Sequence, residues 1–154
     1  MRFVSFACAC MLTCLALAAP AAPAPIARKA SANKMVAKLN AVRARHGLGP
    51  LRVSPSLTTS AGQFARWIVA HDYFGHRGGG VSADHGRFHD LGEALAMHSG
   101  RRLGIGPTVG SWLRSPPHRA VVLTRSMRWA GVGVARGRIG SRFRVVWVLQ
   151  VGRR

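Results

Sequence analysis

Ala130-Gly131-Val132-Gly133-Val134-Ala135-Arg136, a short glycine-bearing link, and then Arg142-Phe143-Arg144-Val145-Val146-Trp147-Val148-Leu149-Gln150-Val151 give the clearest structural signal in the chain. In the second run Phe143, Val145, Trp147, Leu149 and Val151 alternate with Arg142, Arg144 and Gln150. That is the period of a half-buried strand with its polar residues outward. The first run alternates glycine with valine and predicts a strand whose glycines let another backbone approach closely. Residues 137–141 then form the turn, and the two runs form a hairpin.

Upstream the period changes from two to 3.6. Residues 34–46 predict a helix with Met35, Leu39 and Val42 inward and Lys34, Lys38, Arg43 and Arg45 on the other side. Asn33 caps its start and Gly47 its end. Ser54-Pro55 opens a second helix, serine as cap and proline in the first turn, with Leu57, Ala61, Phe64 and Ile68 as its buried stripe. That pattern fades at Tyr73-Phe74-Gly75, and residues 77–92 predict a long glycine-rich loop. A short third helix starts near Gly106-Pro107, places Val109, Trp112 and Leu113 inward, and ends at Ser115-Pro116-Pro117. Tyr73, Phe74 and Trp112 are assigned to the core. Helices followed by a terminal hairpin imply α+β layering.

The 154 residues suit one domain. An apolar fraction of 48% with 18% charged residues excludes a disordered polar chain. The charge is one-sided, 23 Lys plus Arg against 4 Asp plus Glu, or +19. Such a surface adheres to nucleic acid, anionic lipid or acidic wall polymers without specific recognition, and no specific nucleic-acid partner is expected. Met1-Arg2 is followed by an uncharged run to Ala19 and by Ala/Pro-rich residues. This is the order of a secretory signal peptide, with cleavage after Ala21. The apolar run is about 17 residues, the lower limit for a membrane span. The expected organisation is a signal peptide over 1–21, an Ala/Pro-rich linker over 22–32 and a domain over 33–154. The product would be secreted to the extracellular space or periplasm, as a monomer. Cys8, Cys10 and Cys14 all fall in the leader, so the processed chain would have no disulfides.

The rare residues are concentrated. All four carboxylates, Asp72, Asp84, Asp90 and Glu93, and five of the seven histidines, His71, His76, His85, His89 and His98, lie between positions 71 and 98. Imidazole with carboxylate suits a divalent ion such as zinc, and equally acid–base work near neutral pH. His85, His89 and Glu93 are spaced to share a helical face, but Gly86 and Gly92 oppose a helix there. His46 and His71, each at a helix end, are expected to interact with the C-terminal dipole.

Five segments in order resemble the CAP superfamily of cysteine-rich secretory, antigen 5 and pathogenesis-related 1 proteins. They are Leu39-Asn40-Ala41-Val42-Arg43 with Gly47-Leu48-Gly49-Pro50-Leu51; Phe74-Gly75-His76; Gly92-Glu93-Ala94; Trp112-Leu113-Arg114-Ser115-Pro116-Pro117-His118-Arg119; and Gly131-Val132-Gly133-Val134. The fourth is similar to the Trp-x-x-Ser-Pro-Gly-His-Arg stretch of the secreted bacterial, SCP-like branch. The resemblance implies an α-β-α sandwich with a central antiparallel sheet and a groove holding His76, Glu93 and His118. Ser115 stands where many eukaryotic relatives carry a second glutamate, so a four-residue His/Glu/Glu/His cavity is reduced to three residues. The implied site is a divalent-metal site of His76, Glu93 and His118, or a hydrogen-bonded polar site without metal, with Ser115 and Trp112 as ligand-binding neighbours.

Three functions remain open. One is a secreted binding module whose groove takes a metal and a lipid, glycan or peptide. Another is a metal-assisted hydrolase of a phosphodiester, peptide or wall polymer, opposed by the missing second carboxylate and by the lack of a Ser or Cys nucleophile motif. The third is a charge-driven polyanion or envelope binder. The residues do not decide whether the protein is an enzyme.

Overall fold

The structure, a computed structural model, describes residues 25–76, 87–100, 102 and 104–154, with side chains from residue 30 onward. The signal-peptide reading of 1–21 and His85 lie outside the described residues. The elements run α1 (Pro25–Arg45), β1 (Arg52–Val53), α2 (Pro55–Ala70), β2 (Asp90–Ser99), α3 (Ile105–Arg114), α4 (Pro116–Leu123), β3 (Trp129–Ile139) and β4 (Arg142–Arg153). The sheet order is β1-β3-β4-β2. β3–β4 and β4–β2 are antiparallel, while the short β1 lies parallel to β3, so the sheet is mixed at one end.

Alternation along β4 builds the two layers. Val145, Trp147, Leu149 and Val151 face one cluster with Met35, Leu39, Val42, Val109, Trp112 and Val122 of the helices α1, α3 and α4. Val146 and Val148 face the other way, with Leu95, against Ala61, Phe64, Ala65 and Ile68 of α2. This is the α-β-α sandwich that the resemblance implies. Both faces of the sheet are covered, so its middle strands are apolar on both sides.

α2 begins as its sequence predicts. Ser54 is extended (φ −99°, ψ 122°) and its Oγ accepts the Leu57 N–H at 3.4 Å, with Pro55 in the first turn. Such a cap contributes about 1 kcal/mol. At its far end His71 Nδ1 lies 2.9 Å from Trp67 O, and the imidazole stacks on the Trp67 ring at 4.4 Å. The same carbonyl also accepts the His71 N–H at 3.0 Å, so the ring adds a second partner at the helix C-terminus, the place expected of it.

Several expectations need correction. α1 starts at Pro25, so the stretch read as a linker up to residue 32 is helical from its fourth residue on; Ala32 is already buried. Alanine is the best helix former and proline fits the first turn, which outweighs the reading of Ala/Pro as flexible. Arg43, placed with the lysines on the outer side, is fully buried. α3 ends at Arg114, as the Ser115-Pro116-Pro117 stop predicts, but the two prolines then open α4, a helix the sequence reading lacks, where a missing N–H costs nothing. β2 lies partly in the predicted loop and has no counterpart in the sequence reading. The hairpin turn is only Gly140-Ser141.

Candidate functional site

The site lies where three segments meet at the β2 edge of the sheet. His76 follows α2, Glu93 is the fourth residue of β2, and His118 is the third residue of α4. Gly92 allows α4 to lie close: a Cβ there would be 3.4 Å from Val121 of α4 and 3.1 Å from Val151. The edge position of β2 lets His76 reach Glu93, with His118 of α4 beside the His76 ring.

His76 Nδ1 is 2.8 Å from Glu93 Oε1. The imidazole side chain is 55% exposed and the carboxylate 9%, so the pair projects from a buried base into solvent. The His118 ring centre is 6.3 Å from that of His76, with the planes inclined at 48°. Burial, and next the neighbouring His76, hold the His118 pKa below the ordinary value of 6.5. His118 is therefore neutral, with a lone pair free, over a wider range than an isolated histidine.

Glu93 is held from behind by a residue that the sequence reading assigns to the wet side of its strand. Gln150 is Glu93's partner in the β2–β4 register, is 2% exposed, and donates from Nε2 to Glu93 Oε2 at 3.2 Å. Among the described residues its buried Oε1 has no hydrogen-bond partner. The signal that could have marked it is the unbroken apolar run on both sides, Val145 to Leu149 and Val151, which leaves no wet face for a glutamine.

Both carboxylate oxygens thus have protein partners, so Glu93 could orient His76 as well as serve as the ligand that the resemblance implies. Rings that share one zinc through nitrogens at about 2.1 Å have centres roughly 5–6 Å apart, close to the separation seen here. With Nδ1 bonded to Glu93, His76 offers Nε2, the arrangement in which a carboxylate fixes a ligating histidine. Among the described residues no group of three His, Cys, Asp or Glu is arranged to hold an ion. His76 and His118 are the two imidazoles here that could hold an ion.

The neighbouring assignments divide. Ser115 is half-buried at the α3–α4 junction, one turn before His118. Trp112 is fully buried and donates from Nε1 to Leu95 O at 3.0 Å, so it has no face for a ligand and its role is in the core. Tyr73 and Phe74, expected in the core, are instead 43% and 41% exposed. The Tyr73 hydroxyl donates to His76 O at 3.2 Å, which places Tyr73 beside the site. His98 is bonded to Thr108 Oγ1 at 2.8 Å, and the backbone N–H of exposed His89 donates to Arg153 O, both apart from the cluster.

The depressed His118 pKa has a consequence for stability. The unfolded chain binds this proton more readily than the native one, so native stability is complete above pH 6.5 and falls as pH drops below it. Urea unfolding of chelator-treated protein should show this acid loss, reduced in His118→Asn. An unchanged profile in that variant would contradict the assignment.

Solved structures with the same fold include an outer surface protein from Borrelia burgdorferi (TM-score 0.62, 20% identity, 79% of this chain and 91% of that one). An extracellular SCP-domain protein from Bacillus anthracis aligns similarly (TM-score 0.62, 20% identity, 88% of this chain), and this chain spans 45% of its length. The venom allergen-like protein 4 of Schistosoma mansoni aligns with a TM-score of 0.53 at 14% identity over 84% of this chain and 88% of that one. No curated protein sequence matches the chain significantly. The profile of the CAP, or cysteine-rich secretory protein, family matches residues 36–151, from within α1 to near the end of β4. The chain belongs to the CAP family of cysteine-rich secretory proteins.

Proposed function

We propose that this protein is a secreted CAP-domain binding module that takes a divalent metal ion, zinc or a similar one, between His76 and His118. The observation that carries this is the His76–Glu93 bond at 2.8 Å with the His118 ring 6.3 Å away. Glu93 holds His76 in the tautomer that offers Nε2, and Gln150 holds Glu93. A bound ion would supply an electrophilic centre with exchangeable water. The chain's own residues orient it and present Tyr73 and Phe74 as an apolar surface for a lipid, glycan or peptide ligand, with Ser115 as a polar contact. Export rests on the leader-like order of residues 1–21, and among the described residues no helix is long and apolar enough to cross a membrane.

Calorimetric titration of the metal-free protein with zinc tests this reading. One ion should bind per chain, and His118→Ala should abolish binding. Glu93→Gln should weaken it about 10- to 100-fold, the usual effect of removing an orienting carboxylate. Affinity should fall below about pH 6 as protons compete for the imidazoles. Binding that persists in the His76→Ala/His118→Ala double variant would exclude the site.

A further inference from the structure

The outer edge of β3 is open for most of its length. β1 pairs with it only at Arg52–Trp129 and Val53–Ala130. Among the described residues no other strand pairs this edge between Ala130 and Ile139. The Ser54 N–H donates to Ala130 O at 2.8 Å, so Ala130 turns its backbone groups away from β4. Alternation then gives Val134, Arg136 and Arg138 the same outward direction. Such a row of backbone donors and acceptors is a template for another strand.

A cavity of about 440 Å³ lies at the start of this row, between Asn33 of α1, Thr59, Gly62 and Arg66 of α2, and Val132 to Val134 of β3. Arg136 and Arg138 share one face of β3 further along, and both are exposed, as is Arg66. Among the described residues no side-chain carboxylate serves these arginines. Asp72 accepts the Gly140 N–H, Asp90 pairs with Arg153, and Glu93 is bonded to His76. Residues 1–24 contain no carboxylate at all. A second copy of the chain would bring the same arginines against themselves. Charge therefore opposes self-pairing at this edge and opposes its coverage by the chain's own leader, but complements an acidic strand.

We propose that the open β3 edge binds an extended acidic peptide as an added strand, its carboxylates at every second residue facing Arg136 and Arg138 and its end seated in the cavity beside Arg66. Main-chain bonds would give affinity, and the alternate side chains would select for acid.

The test is fluorescence anisotropy with a labelled hexapeptide alternating threonine and glutamate, alongside the same peptide N-methylated at alternate amides. The unmodified peptide should bind, and methylation of the amides facing β3 should weaken it at least tenfold. Val134→Pro should weaken binding equally, because the N–H it removes faces outward and the β3–β4 pairing does not use it. Arg136→Glu/Arg138→Glu, a surface change, should do the same and gives an independent reading if the proline variant fails to fold. No binding, or equal affinity for the methylated peptide, would overturn the proposal, the latter by showing attraction through charge alone. So would a concentration-dependent dimer in light scattering that Val134→Pro dissolves, since the occupant would then be a second copy.

Discussion

Arg43→Met should lower the unfolding free energy by about 3–5 kcal/mol, because it strips the donors from several buried carbonyls at once. Arg43 Nε donates to Gly49 O at 2.9 Å, Nη1 to Val122 O at 2.8 Å and to Thr124 O at 3.0 Å, and Nη2 to Met127 O at 3.3 Å. One guanidinium thereby ties the end of α1 to the loop before β1, to the last carbonyls of α4 and to the approach to β3. Burial, and next Arg128, lower its pKa, and its compensation is carbonyl dipoles rather than a carboxylate. Methionine fills similar volume but leaves those acceptors unpaired. Arg43→Lys should be nearly as damaging, since a point-like ammonium cannot span the fork. Urea unfolding measures both. A loss below about 1 kcal/mol would mean that the carbonyls find other partners. Because Arg43 reaches the end of α4, its loss should also loosen the helix that carries His118.

The second large effect is expected at the sheet glycines. A Cβ on Gly131 would overlap the carbonyl carbon of Leu57 and the Thr58 nitrogen, and one on Gly133 would overlap the Ala61 carbonyl and the Gly62 nitrogen. Leu57 and Ala61 are one turn apart on α2, and Gly131 and Gly133 are on one face of β3. The helix backbone therefore rests directly on the strand backbone along two successive contacts. Backbone atoms have no rotamer by which to move aside, so alanine at either position must lift α2 from the sheet. We expect a loss of about 3 kcal/mol or more for each, at or above the upper end for overpacking. Gly49→Ala, where a Cβ would meet nothing within 4 Å, is the control and should stay within about 0.5 kcal/mol of the parent. Thermal unfolding of the three variants gives the comparison, and a benign Gly133→Ala would contradict the close approach.

These two sites show what can be read in the sequence and what cannot. Alternation of glycine with valine over 130–134 predicts a strand with close backbone approach, and the structure identifies the backbone that approaches. Arg43 gives no such signal, because an arginine among other basic residues on a helix looks solvated; the carbonyls of Gly49 and of residues 122–127 explain its burial. β2 escapes the sequence reading because Ala94 and Ala96 face the α1, α3 and α4 layer while Leu95 and Met97 face α2. A strand covered on both sides has no hydrophobic alternation to detect. The same two-sided burial turns Gln150 inward. Tyr73 and Phe74 depart from expectation because aromatic side chains are usually buried, and here both are exposed, Tyr73 beside the site. His76, Glu93 and His118 are 17 and 25 residues apart along the chain, beyond any local period. Only the family resemblance joins them, and the β2 edge is the physical reason they meet.

The most direct test of that meeting is to follow the histidine ring nitrogens by NMR as zinc is added to the metal-free protein. The account predicts that His76 begins with Nδ1 protonated and bonded to Glu93, and that zinc shifts His76 Nε2 and one ring nitrogen of His118 together at one equivalent. His71 and His98, whose rings are bonded to Trp67 O and Thr108 Oγ1, should not move. Zinc that shifts His89 or His98 while leaving His76 and His118 unchanged would contradict it.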